Sequence, residues 1–331
     1  MHWVSKHNVR QNILECYQRR VAMQLGSLFA GIGGIELGFQ KAGIKTSWAI
    51  ELDSKACETY RANHHHTIIN EDITRTDLES LAPIEILVAG FPCQAFSIAG
   101  YRKGFNDERG NVFFAILRYL KYFTPKIVFL ENVKNLVAHD NGKTFDTIQK
   151  ELKNLGYYLK FKILNTCEYA NIPQNRERVY IVGFLDKQMC ERFEFPSPKK
   201  LTKTIQDLID KEANEEFYYK KTKYYAELKK TMQNKNTLYQ WRRHYVRENK
   251  SNLCPTLTAN MGTGGHNVPL VIDSKDIRKL TPRECARFQG FEDSFVLPPN
   301  LSNATLYKQI GNSVSVGVVA NIAKNIKKVM Q

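Results

Sequence analysis

Between residues 25 and 184 the chain alternates short β-branched runs with longer stretches in which apolar residues recur every three to four positions. The runs predict strands at 26–30, 46–52, 84–91, 126–133, 158–164 and 179–184. Helices are predicted at 36–42, closed by Gly43, at 55–62 behind an Asp53-Ser54 cap, and around Phe145, Ile148, Leu152 and Leu155, stopped by Gly156. Such alternation predicts an α/β fold with a doubly wound, mostly parallel sheet, whose ligands bind beyond the carboxyl ends of its strands. The pattern changes after Pro196-Ser197-Pro198, where residues 199–275 are rich in Lys and Tyr, irregular, and close with a glycine-rich loop at 261–267. This predicts a second, smaller unit. Thr281-Pro282-Arg283-Glu284 then reads as a capping box with Pro at the first helical position, opening a helix that ends near Gly290. A last helix carries Val318, Ile322 and Ile326 on one face and Lys324, Lys327 and Lys328 elsewhere.

Composition narrows the partners. The 331 residues include 48 Lys and Arg against 33 Asp and Glu, a net charge of +15, and the excess is spread through a globular sequence without an amphipathic basic anchor or lipidation motif. A polyanion is therefore expected, nucleic acid before membrane. The seven cysteines form no CxxC pair, which suggests neither a zinc site nor a disulfide framework and points to a reducing compartment. No apolar run approaches a membrane span and no signal-peptide core opens the chain, so a cytoplasmic protein is expected. His64-His65-His66 is not read as a metal site, because three consecutive residues cannot all face one ion on a regular element.

Chemistry-bearing residues gather at strand ends. The first strand runs into Phe29-Ala30-Gly31-Ile32-Gly33-Gly34, a turn that lets backbone approach a ligand and opens a helix, although a ligand-free tight turn also needs glycine. Glu51 ends the next strand, about 20 residues on, where this architecture grips a ribose. Asp72 is expected at the end of a third strand, placed to accept from an adenine amino group. Cys93 follows a further strand in Pro92-Cys93-Gln94 and opens a long loop, which makes it the best nucleophile candidate of the seven cysteines. Glu131, in Glu131-Asn132-Val133, places a carboxylate in the same crevice, or else caps the next helix. Arg176 and Arg178 are expected on one side of the last strand, where a solvated charge run is the bland reading.

In order along the chain, Phe29-x-Gly31-x-Gly33-Gly34, Pro92-Cys93-Gln94, Glu131-Asn132-Val133, Gln174-x-Arg176-x-Arg178, Arg283-Glu284-Cys285-Ala286-Arg287-x-x-Gly290 and Gln309-Ile310-Gly311-Asn312-Ser313-Val314 resemble the motifs of the C5-cytosine DNA methyltransferases of bacterial restriction-modification systems. The resemblance covers residues 25–184 and 278–328. It implies a Rossmann-like, S-adenosylmethionine-dependent enzyme in which Cys93 adds to cytosine C6, Glu131 relieves charge at N3, and Arg178 holds O2 with support from Arg176. Around the cofactor it places Phe29, Gly31, Gly33 and Gly34, then Glu51 and Leu52, then Asp72 and Ile73, with Pro92, Asn312 and Ser313 closing the pocket. Two positions depart from the pattern: Leu52 stands where many relatives have an aromatic residue, and Glu71 replaces a glycine.

The implied partner is double-stranded DNA with the target base rotated out of the helix, the chain acting as a monomer and a cognate restriction endonuclease being a functional partner only. The loop 94–111 is the expected lid, with Gln94 and Arg109 on DNA. Arg242, Arg243 and Arg247 lie in a basic and aromatic stretch, and Thr256 with Leu257 resembles the Thr-Leu core of target-recognition domains. The expected division is an extension at 1–22 dispensable for catalysis, a catalytic and cofactor domain at 23–195, a target-recognition domain at 196–277, and a segment at 278–331 returning to the first. A nicotinamide dehydrogenase gives no role to Cys93, Glu131 and Arg178 together, and a zinc deaminase lacks its P-C-x-x-C motif. An RNA cytosine-5 methyltransferase and a catalytically silent DNA-binding regulator stay open at this level.

Overall fold

The computed structural model describes residues 23–92, 111–242, 245–249, 251–263 and 267–331. Cys93, Gln94, Arg109 and Arg243, and nearly all of the expected lid, lie outside the described residues. A seven-stranded sheet runs in the order β3-β2-β1-β4-β5-β7-β6, built from β1 (Gln24–Leu28), β2 (Lys45–Ile50), β3 (Thr67–Ile69), β4 (Ile86–Gly90), β5 (Ile127–Val133), β6 (Tyr158–Asn165) and β7 (Glu177–Phe184). The first five strands pair in parallel. β7 is reversed and inserts between β5 and β6. The strand order turns back between β1 and β4, and the crevice beyond their carboxyl ends is the ligand position for this topology.

Alternate residues of β4 feed opposite cores, as the two-residue period of a strand requires. Leu87 and Ala89 pack with Phe113, Ile116 and Leu120 of α3 (Asn111–Phe123) and with Ile148 and Leu152 of α4 (Lys143–Asn154). Ile86 and Val88 pack on the other face with Phe39 of α1 (Gly34–Lys41) and with Val318, Ile322 and Ile326 of the last helix. α2 (Ser54–Arg61) starts at Asp53, whose carboxylate accepts from Lys55 and Ala56 N–H. Two short helices, α5 (Thr166–Tyr169) and α6 (Lys187–Arg192), flank the β6-β7 pair.

Residues after 196 build a second, four-stranded antiparallel sheet in the order β11-β10-β8-β9, from β8 (Tyr239–Arg242), β9 (Tyr245–Glu248), β10 (Leu270–Ile272) and β11 (Ile277–Lys279), beside α7 (Tyr225–Thr231). β11 runs across the expected boundary at 277. The capping box forms in full at α8 (Pro282–Gln289), with Thr281 and Glu284 each bonding the other's backbone, and Gly290 ends the helix at φ 89°. α9 (Asn303–Asn312) and α10 (Val316–Met330) return the chain to the large sheet.

Candidate active site

The crevice is walled by the turn after β1, the exit of β4, the end of β5 and the start of β7. Phe29 and Gly31 both take φ 56° and Gly33 takes φ 88°, so the turn coils left-handed, a conformation that strains Phe29 and that only glycine adopts freely. A Cβ at position 33 would collide with the imidazole of His64, and one at position 34 would lie 2.6 Å from Ser313 Oγ. Glycine at these positions lets the C-terminal motif close onto the turn. α1 begins at Gly33 with no side-chain cap, which leaves its first N–H groups for a ligand.

Glu51 bridges this turn to α2: one carboxylate oxygen accepts from Gly31 N–H and the other from Asp53 N–H, both at 2.8 Å. Each oxygen retains acceptor capacity. Leu52 beside it is 68% exposed. Asp72 does not end a strand as expected, because β3 stops at Ile69; it sits in a turn, where one oxygen accepts from the N–H and hydroxyl of Thr74 at 2.8 Å. Ile73 is buried in the core on the α3 side. Asn312 is exposed and Ser313 half-buried, at the junction of α9 and α10.

Glu131 pairs in register with Gly90 across the parallel β4-β5 ladder, and its carboxyl lies beside Gly90, where an added Cβ would stand 3.7 Å from Oε2; Gly90 is three residues before Cys93 in the chain. Asn132 anchors the exit of β4 by donating to Phe91 O at 2.8 Å, a role the sequence motif did not disclose. The Glu131 carboxyl is buried and its Oε1 has no hydrogen-bond partner. Arg178 Nε approaches that oxygen at 3.3 Å. Burial raises the Glu131 carboxyl above its ordinary range, against the opposing pull of Arg178 and Arg176. Neither a helix cap nor a solvated charge run describes the arrangement.

Arg176 stands just before β7, which begins at Glu177; it is 2% exposed, and it and Arg178 both bear on the Glu131 carboxyl. Its guanidinium donates to Leu257 O at 2.7 Å and to Ser313 O. One side chain thereby ties the active-site wall to the second unit and to the C-terminal motif. Burial first, and then Arg178, pull its pKa down to about 9. Thr256 Oγ1 donates to Asn175 O at 2.7 Å, and the Leu257 side chain is buried, so this pair supports the wall through hydrogen bonds.

Arg242 and Arg247 are brought together. In the β8-β9 pair Gln240 faces Arg247 and Arg242 faces Tyr245, so all four share one side of the hairpin, while Val246 on the other is buried. Gln240 was missed in the sequence because its meaning depends on register. Behind the glycine turn lies another missed cluster. Glu36 is fully buried with neither oxygen hydrogen-bonded, Ser27 and Tyr60 face it, and burial raises its pKa to about 7. Burial also lowers His64 to about 4.

Residues 23–328 match the family model described as C-5 cytosine-specific DNA methylase. The chain belongs to this family. It is 52% identical over 314 residues to the Type II methyltransferase M.Bsp6I of Bacillus sp. (strain RFL6), covering 93% of this chain and 99% of that protein. It is 38% identical to M.HhaI of Haemophilus parahaemolyticus, covering 90% and 92% respectively. The fold is similar to that of S. pombe Dnmt2, with a TM-score of 0.72 at 21% identity over 93% of this chain and 99% of the other. A putative DNA modification methyltransferase from an E. coli prophage matches with a TM-score of 0.67 at 22% identity, over 93% and 99%. This C5-cytosine methylase is therefore a DNA cytosine-5-methyltransferase of the restriction-modification type. No helix among its described residues is long and apolar enough to cross a membrane.

Proposed function

We propose that this methylase modifies C5 of a cytosine rotated out of a short, specific duplex sequence, through a transient bond between Cys93 and C6, with S-adenosylmethionine as methyl donor. Family membership implies that donor, and the residues present fit it. A Cβ built at Gly31 would meet nothing within 4 Å, and the Glu51 carboxylate and exposed Leu52 border the same turn. Phe29, Gly31, Gly33, Gly34, Glu51, Leu52, Asp72, Ile73, Pro92, Asn312 and Ser313 would hold it. When bound it supplies an electrophilic methyl group.

The buried Glu131 carboxyl with its incompletely bonded arginine partner carries the reading. Cytosine C5 is a weak nucleophile, and addition of the Cys93 thiolate at C6 turns the C4-C5-C6 unit into an enamine whose negative charge reaches N3. A carboxyl that holds its proton because it is desolvated donates at that atom. Arg178 meets Glu131 at 3.3 Å without a hydrogen bond between them and is held by one donation, from Nη1 to Glu177 O at 2.8 Å, so the rest of its fork can serve O2 of an entering ring. Arg176, bonded to two carbonyls, holds the wall. After methylation, loss of the C5 proton and elimination of the thiolate restore the aromatic ring and the enzyme.

Rotating the base out costs a few kcal/mol, which phosphate contacts must offset. Residues 196–277 form the proposed target-reading unit, with Arg242 and Arg247 on the exposed face of its hairpin and Thr256 and Leu257 at its root; Arg243, Gln94 and Arg109 are proposed as further DNA contacts from their places in the sequence. A monomer suffices for this arrangement.

Bisulfite sequencing of DNA from cells expressing the chain is expected to show one methylated sequence. Cys93→Ser should abolish that mark, and duplex carrying 5-fluorocytosine at the target should become covalently trapped on the parent. A serine variant that modifies DNA as fast as the parent would overturn the mechanism.

A further inference from the structure

A second basic feature lies at the opposite pole of the large sheet. α10 begins beside Gly34, where Ser313 and Val314 pack, and its 15 residues run about 22 Å to the amino-terminal edge. There Lys327 Nζ donates to Ala42 O, at the end of α1. Between the end of α10 and the 194–199 linker is a groove of about 640 Å³, lined by Lys199, Lys324, Lys327 and Lys328 over an apolar floor of Phe195 and Pro196. Among the described residues, Glu194 is its only acidic side chain, and Lys160 already pairs with it.

The groove has lysines and no arginine among its described lining side chains. Several separated point charges on flexible stems suit a phosphodiester backbone, whereas a single carboxylate is better gripped by a bidentate fork. Residues 1–22 precede β1, which starts at this same edge, and carry Lys6, Arg10, Arg19 and Arg20 against Glu15. Their like charge disfavours them as the occupant. We propose that this groove is a second DNA-binding site, which holds the backbone of another duplex segment while the cleft at the carboxyl edge holds the target. The inference rests on the DNA-methylating reading above. Its consequence is tethering: a methylase leaving one segment is already in contact with the next.

The test uses the full chain with its cleft saturated by a short duplex bearing the mapped target sequence, and adds a labelled non-target duplex. The parent is expected to bind this second duplex with an affinity that falls with salt. Lys199→Ala/Lys324→Ala/Lys328→Ala should weaken it and lower the salt slope by about 0.9 for each phosphate no longer neutralised, roughly 2.7 for three. Lys327 is left in place because its amine holds Ala42 O. Methylation of the short duplex should be unchanged in the variant, and arginine at the same three positions should retain the second duplex. The site is overturned if the parent binds no second duplex, if the alanine variant binds it as tightly, or if the arginine variant fails to. Failure of the parent to methylate the short duplex would instead refute the functional reading.

Discussion

Two buried ionic clusters in this methylase use the same side chains to opposite ends. Arg278 is fully buried, and its guanidinium makes five hydrogen bonds: Nε to Asp273 at 2.5 Å, a two-pronged contact to Glu284 at 2.7 and 2.8 Å, and bonds to the carbonyls of Asp210 and Lys279. Both carboxylates are also satisfied, Glu284 by the N–H groups of Thr281 and Asp210 and Asp273 by Tyr218 and two backbone groups. At the other cluster Glu131 Oε1 and Arg176 Nε are buried without hydrogen-bond partners. A closed network welds β11, α8 and the chain near Asp210 into one block. The open one keeps unspent polar capacity, which by itself costs stability and is available to a substrate.

Breaking each cluster should separate these roles. Glu131→Gln is expected to lower the methyl-transfer rate by about 10²–10⁴-fold while shifting stability little, measured by single-turnover kinetics beside urea unfolding. In the parent, activity should decline as pH rises through the titration of Glu131, which lies above the ordinary carboxyl range, a limb absent in the variant. Arg278→Met should do the reverse, costing about 3–5 kcal/mol of stability by stranding two buried carboxylates, and additional neutralisation of Asp273 and Glu284 should recover part of the loss. Equal stability losses in both variants would erase the distinction between the clusters.

Glu36 sharpens the comparison, being a buried carboxyl with no cation among the groups that shift it. Its carboxyl is raised from 4.5 to about 7, so between those values the folded chain holds a proton that the unfolded chain has lost. Stability therefore falls as pH rises through this window, by on the order of 3 kcal/mol. Glu36→Gln should remove that slope in urea melts across pH, making the variant the more stable form above pH 7. The smallest effect is expected at the edge of the closed network: Thr281→Ala loses one cap bond to α8 and costs about 1 kcal/mol, with activity on DNA retained.

Local signals were legible and relational ones were not. The Thr281-Glu284 box, the Asp53 cap and the Gly156 stop lie within a few residues of what they control, and all three were expected from the chain. β3 is three residues long, too short to show a period. The reversal of β7 could not be read from its composition, since an apolar strand inside a sheet has the same pattern in either direction. Arg278 lies in Ile277-Arg278-Lys279, which as sequence resembles a solvent-facing edge, and only Asp273 and Glu284 closing on it make it a core residue. The hairpin face that presents Gln240, Arg242, Tyr245 and Arg247 exists only once β8 and β9 are paired in register.

The sequence by itself determined the residue types and their order: a glycine turn after an apolar strand, an acid after the next, a cysteine, a Glu-Asn pair and two arginines at successive strand ends. Periodicity and turn chemistry act over a few residues, so these positions follow from the chain alone. Tertiary structure decided which of them share a low-dielectric space. The raised carboxyl of Glu131, the burial of Arg176 against Ser313 and Leu257, and the lysine groove at the far pole each depend on groups remote in the chain. Desolvation and Coulomb interaction depend on distance in space, and only the folded chain sets those distances.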